Sequence, residues 1–322
     1  MLEAIKNFSK QFAWEPVVQN SEFKAHHSKF VVVGMGGSHL AADLVQSWNP
    51  LKNILIHKDY GLPLLSGKGA TERLIILSSY SGNTEEVIDA FQEAKKRNLA
   101  MAAITVGGKL IDLARENNIP YIQLPDIGIQ PRSALGFSLK AILKAMDEEE
   151  LLVDITELTN WLKPENYDLE GKRLAEKLKG RVPIIYSSEK NKAIAYNWKV
   201  KFNETVKIPS FYNAFPELNH NEMTGFDVQG KTKDLSDNFH FLILKDSDDD
   251  LRIAKRMSIL NEFYKARNFP VEILELKGDN FWQKAFSSII LADWTAYYLA
   301  LEYGIDPDQI PMVEEFKRRI KN

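Results

Sequence analysis

The sequence predicts an α/β protein with two doubly wound parallel sheets, one in each half, related as a divergent internal repeat. Two observations carry this. Short apolar runs of strand type alternate with helical patterns along the whole chain. The order of strand, turn and helix in the first half then recurs in the second.

In the first half, Lys29-Phe-Val-Val-Val33 is the strongest strand signal, and it runs straight into Gly34-Met-Gly-Gly-Ser38. Leu40, Leu44 and Val45 then mark one face of a helix. Strands follow over 53–57 and 74–77, the second leading into Ser78-Ser-Tyr-Ser-Gly-Asn-Thr84. Thr84 is placed to cap a helix over 85–97, which opens on Glu85 and Glu86 and closes on Lys95, Lys96 and Arg97, in keeping with the helix dipole. Further strands are expected over 101–106 and 120–124.

The second half repeats the plan with a strand at 183–186, another at 241–244, a long helix ending in Lys265-Ala-Arg-Asn268, and a strand at 271–277. The expected domains are 1–150 and 151–322, separated by a polar helical stretch that includes the solvated run Asp147-Glu-Glu-Glu150.

With 322 residues, 44% hydrophobic and 26% charged, the chain has the composition of a well-buried globular protein. Its 41 basic and 44 acidic residues are mixed along the chain, for a net charge of −3, so nucleic acid is not an expected partner. There is no cysteine, which removes disulfides, thiolate nucleophiles and cysteine metal sites. The opening MLEAIKNFSKQF lacks the apolar core of a signal peptide, and the longest apolar stretch, about 288–301, is broken by Asp293. A cytoplasmic protein without a membrane partner is expected.

The turn at 78–84 combines Ser79, Ser81 and Thr84 hydroxyls with the free N–H groups of a helix start, and Gly82 lets a ligand approach the backbone. Gly36, Gly37 and Ser38 do the same after the first strand. At the carboxyl ends of parallel strands these loops flank a crevice suited to a phosphate. A dinucleotide fingerprint starting at Gly34 fails, because His39 stands where the third glycine would be. The matching turn of the second half, Lys245-Asp-Ser-Asp-Asp-Asp250, is a carboxylate cluster that would repel an anion. Only the first half is expected to bind phosphate.

These motifs resemble those of the SIS (sugar isomerase) proteins, and over essentially the whole chain those of the bifunctional phosphoglucose/phosphomannose isomerases. The marks are GMGGS at 34–38, SSYSGNT at 78–84, PRSALGF at 131–137, FNE at 202–204 and PELNHNE at 216–222. Where that family usually reads NENAK, this chain has Asn203-Glu-Thr-Val-Lys207.

The resemblance implies aldose–ketose isomerisation of a hexose 6-phosphate through a cis-enediolate, with no metal and no cofactor. It implies that Ser38, Ser79, Ser81 and Thr84 hold phosphate, that Arg132 lies near the enediolate, that Glu204 is the base and that His220 opens the ring. It also implies a homodimer with shared active sites, His220 serving the partner's site.

The residue types suit this chemistry. Histidine can give and take protons near neutral pH. One carboxylate can move a proton between adjacent carbons, and a fixed guanidinium can stabilise the enediolate charge without a metal.

Taken alone, these residues also have plainer readings. Glu204 near the end of an amphipathic helix over 193–202 would be a solvated face residue, and Arg132 a surface ion pair. His220 is better marked, being in an irregular segment where Glu217 and Glu222 could orient it. His26, His27, His57 and His240 are expected to be structural or at the surface, and Thr295 to be core. The remaining alternative is a non-catalytic sugar-phosphate sensor. An amidotransferase is excluded, since the glutaminase nucleophile would be a cysteine.

Overall fold

The computed structural model describes residues 1–20, 27–64 and 71–320, so His26 lies outside the described residues. The chain forms two compact units, one of Lys6–Leu162 and one of Lys163–Asn322 joined by Met1–Ile5. They divide at 162/163, beyond the 150/151 read from sequence, because the helices Glu149–Thr156 and Leu158–Trp161 pack on the helix Leu135–Ala145 and the turn Phe8–Ala13 of the first unit. Met1 joins the second unit through its ammonium, 2.6 Å from Asp308.

The first unit holds a six-stranded sheet in the order β1-β6-β5-β4-β2-β3, with β1 Val18–Gln19, β2 Lys29–Val33, β3 Asn53–His57, β4 Arg73–Ser78, β5 Met101–Thr105 and β6 Tyr121–Gln123. Strands β2 to β6 are parallel, but β1 pairs antiparallel with β6, a departure from the all-parallel expectation. The two-residue β1 closes the β6 edge, which would otherwise present unpaired backbone groups. Asn20 secures it by donating to the carbonyls of Ala114 and Ile119 at 2.9 and 3.0 Å.

The near-continuous apolar runs of β2, β4 and β5 follow from burial on both faces. Val31, Val33, Ile75 and Leu77 pack under Val87, Phe91 and Leu110 of the helices Glu85–Lys96 and Gly108–Glu116. The alternate residues point to the other face, where the helices Leu40–Trp48 and Leu135–Ala145 pack together.

The second unit has four parallel strands in the order β10-β9-β7-β8, with β7 Val182–Ser188, β8 Phe211–Phe215, β9 Phe239–Lys245 and β10 Val271–Glu275. Taken in chain order this matches β5-β4-β2-β3, so the two sheets share one topology. One face is filled by aromatic side chains, Phe226, Phe241, Tyr264 and Phe269, in mutual edge and tilted contacts. The 22-residue helix Phe281–Glu302 packs on Asp168–Leu178 and buries nearly its whole circumference, which explains the apolar stretch seen in the sequence. Thr295 is fully buried there and donates to Leu291 O at 2.7 Å, a core residue as expected. Among the described residues no helix is long and apolar enough to cross a membrane.

Candidate active site

In the first unit the two glycine- and serine-rich loops are stitched into one structure. The chain leaves β2 with the Gly34 N–H donating to His57 O at 3.2 Å, then makes the tight turn Gly36–Ser38. From the end of β4, Ser78 Oγ donates to Ser38 O at 2.8 Å, and the Tyr80 N–H donates to Ser38 Oγ at 3.0 Å. Ser38 is buried, and its hydroxyl, already accepting from Tyr80, retains a proton to donate.

The four hydroxyls are not equivalent. Ser79 is fully buried; its Oγ accepts the Gly82 N–H at 3.1 Å and lies 2.8 Å from Thr84 Oγ1. Ser81 is exposed and accepts only a long bond, 3.3 Å, from the Asn83 N–H. Thr84 does occupy the N-cap of Glu85–Lys96, but its side chain makes no cap bond to the helix, turning to Ser79 instead. This corrects the expectation that it caps the helix with its hydroxyl.

Gly82 sits at φ +70°, and a Cβ there would lie 1.7 Å from Gly107 O, so no other residue fits. Burial, reinforced by the charge of Asp126, pushes the Tyr80 phenol up to about 12.

Arg132 belongs to the turn Pro131–Ser133 and is 1% exposed, so it is not the surface ion pair that its sequence position allowed. Its turn is pressed on the first loop: a Cβ on Gly37 would stand 2.8 Å from Pro131 and 2.9 Å from Arg132 N. Gly36, Gly37, Ser38, Ser79, Ser81, Thr84 and the Arg132 turn thus come together in one unit.

Glu204 and His220 belong to the other unit. The helix Lys192–Lys201 is buried nearly all round rather than amphipathic. It ends in a single π-helical turn, Phe202–Val206, which lets the chain swing Glu204 into a half-buried position while Phe202, Thr205 and Val206 stay in the core. Lys207 stops the helix in the left-handed conformation at φ +59°. Just before the turn, the buried Lys201 ammonium lies 2.8 Å from the equally buried Asp293 carboxylate of the long helix and anchors it.

His220 is exposed, in the segment after β8. Neither nearby carboxylate is spent on its ring. Glu222 accepts from Tyr186 Oη at 2.6 Å and from the Asn213 side-chain amide, and Glu217 accepts from Asn221 at 2.8 Å. Glu222 therefore ties the segment to β7 and β8. Burial, with Tyr264 and Glu222 beside it, holds the Tyr186 phenol far above its ordinary range and so keeps it a donor.

The helix Lys192–Lys201 starts beyond the carboxyl end of β7 and returns to the amino end of the sheet, as a parallel crossover must. Glu204 consequently precedes β8 and His220 follows it, at opposite ends of one strand. The five-residue strand alone separates them by roughly 15 Å.

In the second unit the turn after β9 corresponds to the serine loop, and it is not a bare acidic cluster. Lys284 and Asp246, both buried, lie 2.6 Å apart; Lys284 also lies 2.8 Å from Asp248. Asp246 takes further bonds from Asn191 at 3.0 Å and from the Asp248 N–H at 3.0 Å. Burial raises the Asp246 carboxyl, but the bonds from Lys284, Asp248 and Asn191 and the Lys190 charge outweigh it and hold it at about 2. The turn is filled by the protein's own ion pair. The carboxylate cluster read from sequence is thus partly paired, Lys284 lying against Asp246 and Asp248 and Lys190 against Asp246.

Sheet order and interlocked loops make this an SIS-type protein. Tagatose-6-phosphate ketose/aldose isomerase from Escherichia coli shares the fold at a TM-score of 0.68 and 16% identity, over 96% of this chain and 89% of that one. Residues 168–320 match the model of the bacterial phospho-glucose isomerase C-terminal SIS domain. The bifunctional phosphoglucose/phosphomannose isomerase of Aquifex aeolicus is 30% identical over 99% of this chain and 98% of its own length. That of Caldicellulosiruptor bescii is 34% identical over 91% and 89%. The chain belongs to the bifunctional phosphoglucose/phosphomannose isomerase family.

Proposed function

We propose that this protein interconverts glucose 6-phosphate and mannose 6-phosphate with fructose 6-phosphate, in the cytoplasm, as a homodimer with shared active sites. The observation that carries the reading is the single cradle formed by the Gly34–Ser38 and Ser78–Thr84 loops with the buried Arg132 turn pressed on it.

Phosphate is held by Ser38, Ser81 and Thr84 together with the N–H groups of the helix start, while the buried Ser79 keeps the loop in shape. Gly36 and Gly37 allow the backbone to come close. His220 opens the ring by protonating the ring oxygen as the anomeric hydroxyl loses its proton.

Glu204 removes the proton from C2 of the open-chain aldose and returns it to C1, as the O2 proton passes to O1. The half-buried setting of Glu204 suits a base that must meet a carbon acid without competing water. The Arg132 guanidinium faces the charge that develops on the two oxygens. The separation of Glu204 and His220 along β8 supports sharing, because the ring oxygen and the C1–C2 bond of one sugar are only a few ångströms apart.

A steady-state assay with fructose 6-phosphate after prolonged EDTA dialysis tests the reading. Formation of both aldose phosphates is expected. Binding of fructose 6-phosphate without turnover would instead make the chain a sensor, and activity restored only by added divalent metal would contradict the metal-free mechanism.

A further inference from the structure

The Arg132 turn has no cap of its own. It leads into the helix Leu135–Ala145, whose N-cap residue, Ala134, has no side chain able to accept from the helix N–H groups. Those groups are satisfied from far away in sequence. Gln11 Oε1 accepts the Gly136 N–H at 3.0 Å and the Phe137 N–H at 3.3 Å, and its Nε2 donates to Ser133 O at 2.7 Å. All the hydrogen bonds this amide makes here go to the backbone on either side of Ala134, and Gln11 is itself only 3% exposed.

The approach is close enough to dictate sequence on both sides. A Cβ on Gly136 would stand 2.8 Å from Gln11 Cβ and 3.1 Å from its Oε1. On the opposite side of the turn, Gly37 admits Pro131 and Arg132 N at 2.8 and 2.9 Å from where its own Cβ would be. Gln11 is in turn held by the short helix Phe8–Ala13, in which Phe8 and Phe12 are fully buried and meet edge to face at 5.9 Å. The buried Lys140 ammonium donates to Phe12 O at 2.8 Å from the same helix that Gln11 caps. The arginine turn is thus clamped between the phosphate loop and a glutamine from the start of the chain.

We propose that Gln11 is a positioning residue for the isomerase reaction. It fixes the backbone from which Arg132 projects, so that the guanidinium meets the enediolate charge without reorganisation. The proposal rests on the role given to Arg132 above. A shift of one ångström in such a group is enough to cost up to about 10²-fold in rate.

The test compares Gln11→Met, which keeps the volume and loses the bonds, with Gln11→Glu, which keeps the two accepting bonds and loses the donated one. Both are measured alone and in an Arg132→Lys background. In Gln11→Met, kcat should fall at least tenfold with KM for fructose 6-phosphate within about twofold, because the bonds lost hold the arginine turn and its helix rather than the phosphate loop. Gln11→Glu should recover part of the loss. In the Arg132→Lys background, Gln11→Met should cost little more, since the group it positions is already compromised.

Wild-type kcat in folded Gln11→Met, or a loss that multiplies fully with that of Arg132→Lys, overturns the positioning role and leaves the isomerase reading intact. Wild-type kcat in Arg132→Lys overturns the role of Arg132, and with it this proposal. Should Gln11→Met not fold, Gln11→Glu with wild-type kcat overturns the proposal and a reduced kcat at unchanged KM supports it.

Discussion

Glu204 and His220 stand at opposite ends of the edge strand β8, one before it and the other after it. A hexose presents its ring oxygen and its C1–C2 bond within a few ångströms of each other, and the roughly 15 Å length of β8 argues against one chain supplying both groups to one substrate. The homodimer proposed above resolves this, since a two-fold interface exchanges the exposed His220 segments mutually. Mixing Glu204→Ala and His220→Ala chains, unfolding them and refolding them together should restore about a quarter of wild-type sites, by counting random two-fold pairs. Recovery no better than the separate variants, with mixed dimers verified by mass, would mean that each site is built from one chain.

The unequal hydroxyls of the serine loop separate binding from stability. Ser81→Ala removes an exposed hydroxyl held only by a long bond from the Asn83 N–H, and should raise KM for fructose 6-phosphate by about 10- to 100-fold, for a charge-assisted bond of about 1.5–3 kcal/mol. Its melting temperature should stay within a degree or two of wild type. Ser79→Ala strips the Gly82 N–H and Thr84 of their buried partner, and should lower the melting temperature as well. Equal effects of the two on melting would show that the distinction is wrong.

The ion-paired turn of the second unit makes a stability prediction. Lys284→Met strips Asp246 of its buried cation and leaves only the partly exposed Lys190 at 3.3 Å, which should cost up to about 3–5 kcal/mol in urea unfolding. The pair's pH dependence has a definite sign. The Asp246 carboxyl is lowered from 3.8 to about 2, so its contribution is complete above pH 3.8 and fades as pH falls toward 2. Asp246→Asn should flatten acid unfolding in that window.

His240 supplies the opposite case. It lies in β9, 2% exposed, with neither ring nitrogen hydrogen-bonded among the described residues. Burial lowers it from 6.5 to about 4. Above pH 6.5 both folded and unfolded chains hold it neutral. Between 6.5 and 4 only the unfolded chain takes up the proton, so stability should fall across that range by roughly 3 kcal/mol. His240→Leu should remove that slope, and an unchanged slope would assign it to other groups.

Much of this architecture is legible in the chain itself. The alternation of strands and helices, the two halves and the glycine- and serine-rich loops follow from local signals such as the apolar run of Lys29–Val33 ending on glycines, and the hydroxyl-rich turn at 78–84. What escapes are features made by residues distant in sequence. Gln11 caps a helix 125 residues away, and nothing at position 11 marks it.

Lys284 neutralises Asp246 across 38 residues, so the acidic turn reads locally as repulsive. The helix before Glu204 reads as amphipathic because Lys201 counts as polar, whereas its buried partner Asp293 lies 92 residues on. The π-helical turn that swings Glu204 has no local signature at all. His27 and His57 are half-buried and His240 is buried.

The central claim is that Glu204 moves the proton between C1 and C2 of a hexose 6-phosphate. It is tested most directly by following fructose 6-phosphate in deuterium oxide with wild-type and Glu204→Gln protein. Wild type should form both glucose 6-phosphate and mannose 6-phosphate, with deuterium entering C2 of each. Glu204→Gln should bind the substrate with unchanged affinity and form both products roughly 10²- to 10⁴-fold more slowly, the range for a positioned general base. Wild-type protein that forms no aldose, or Glu204→Gln protein that labels C2 at the normal rate, would contradict it.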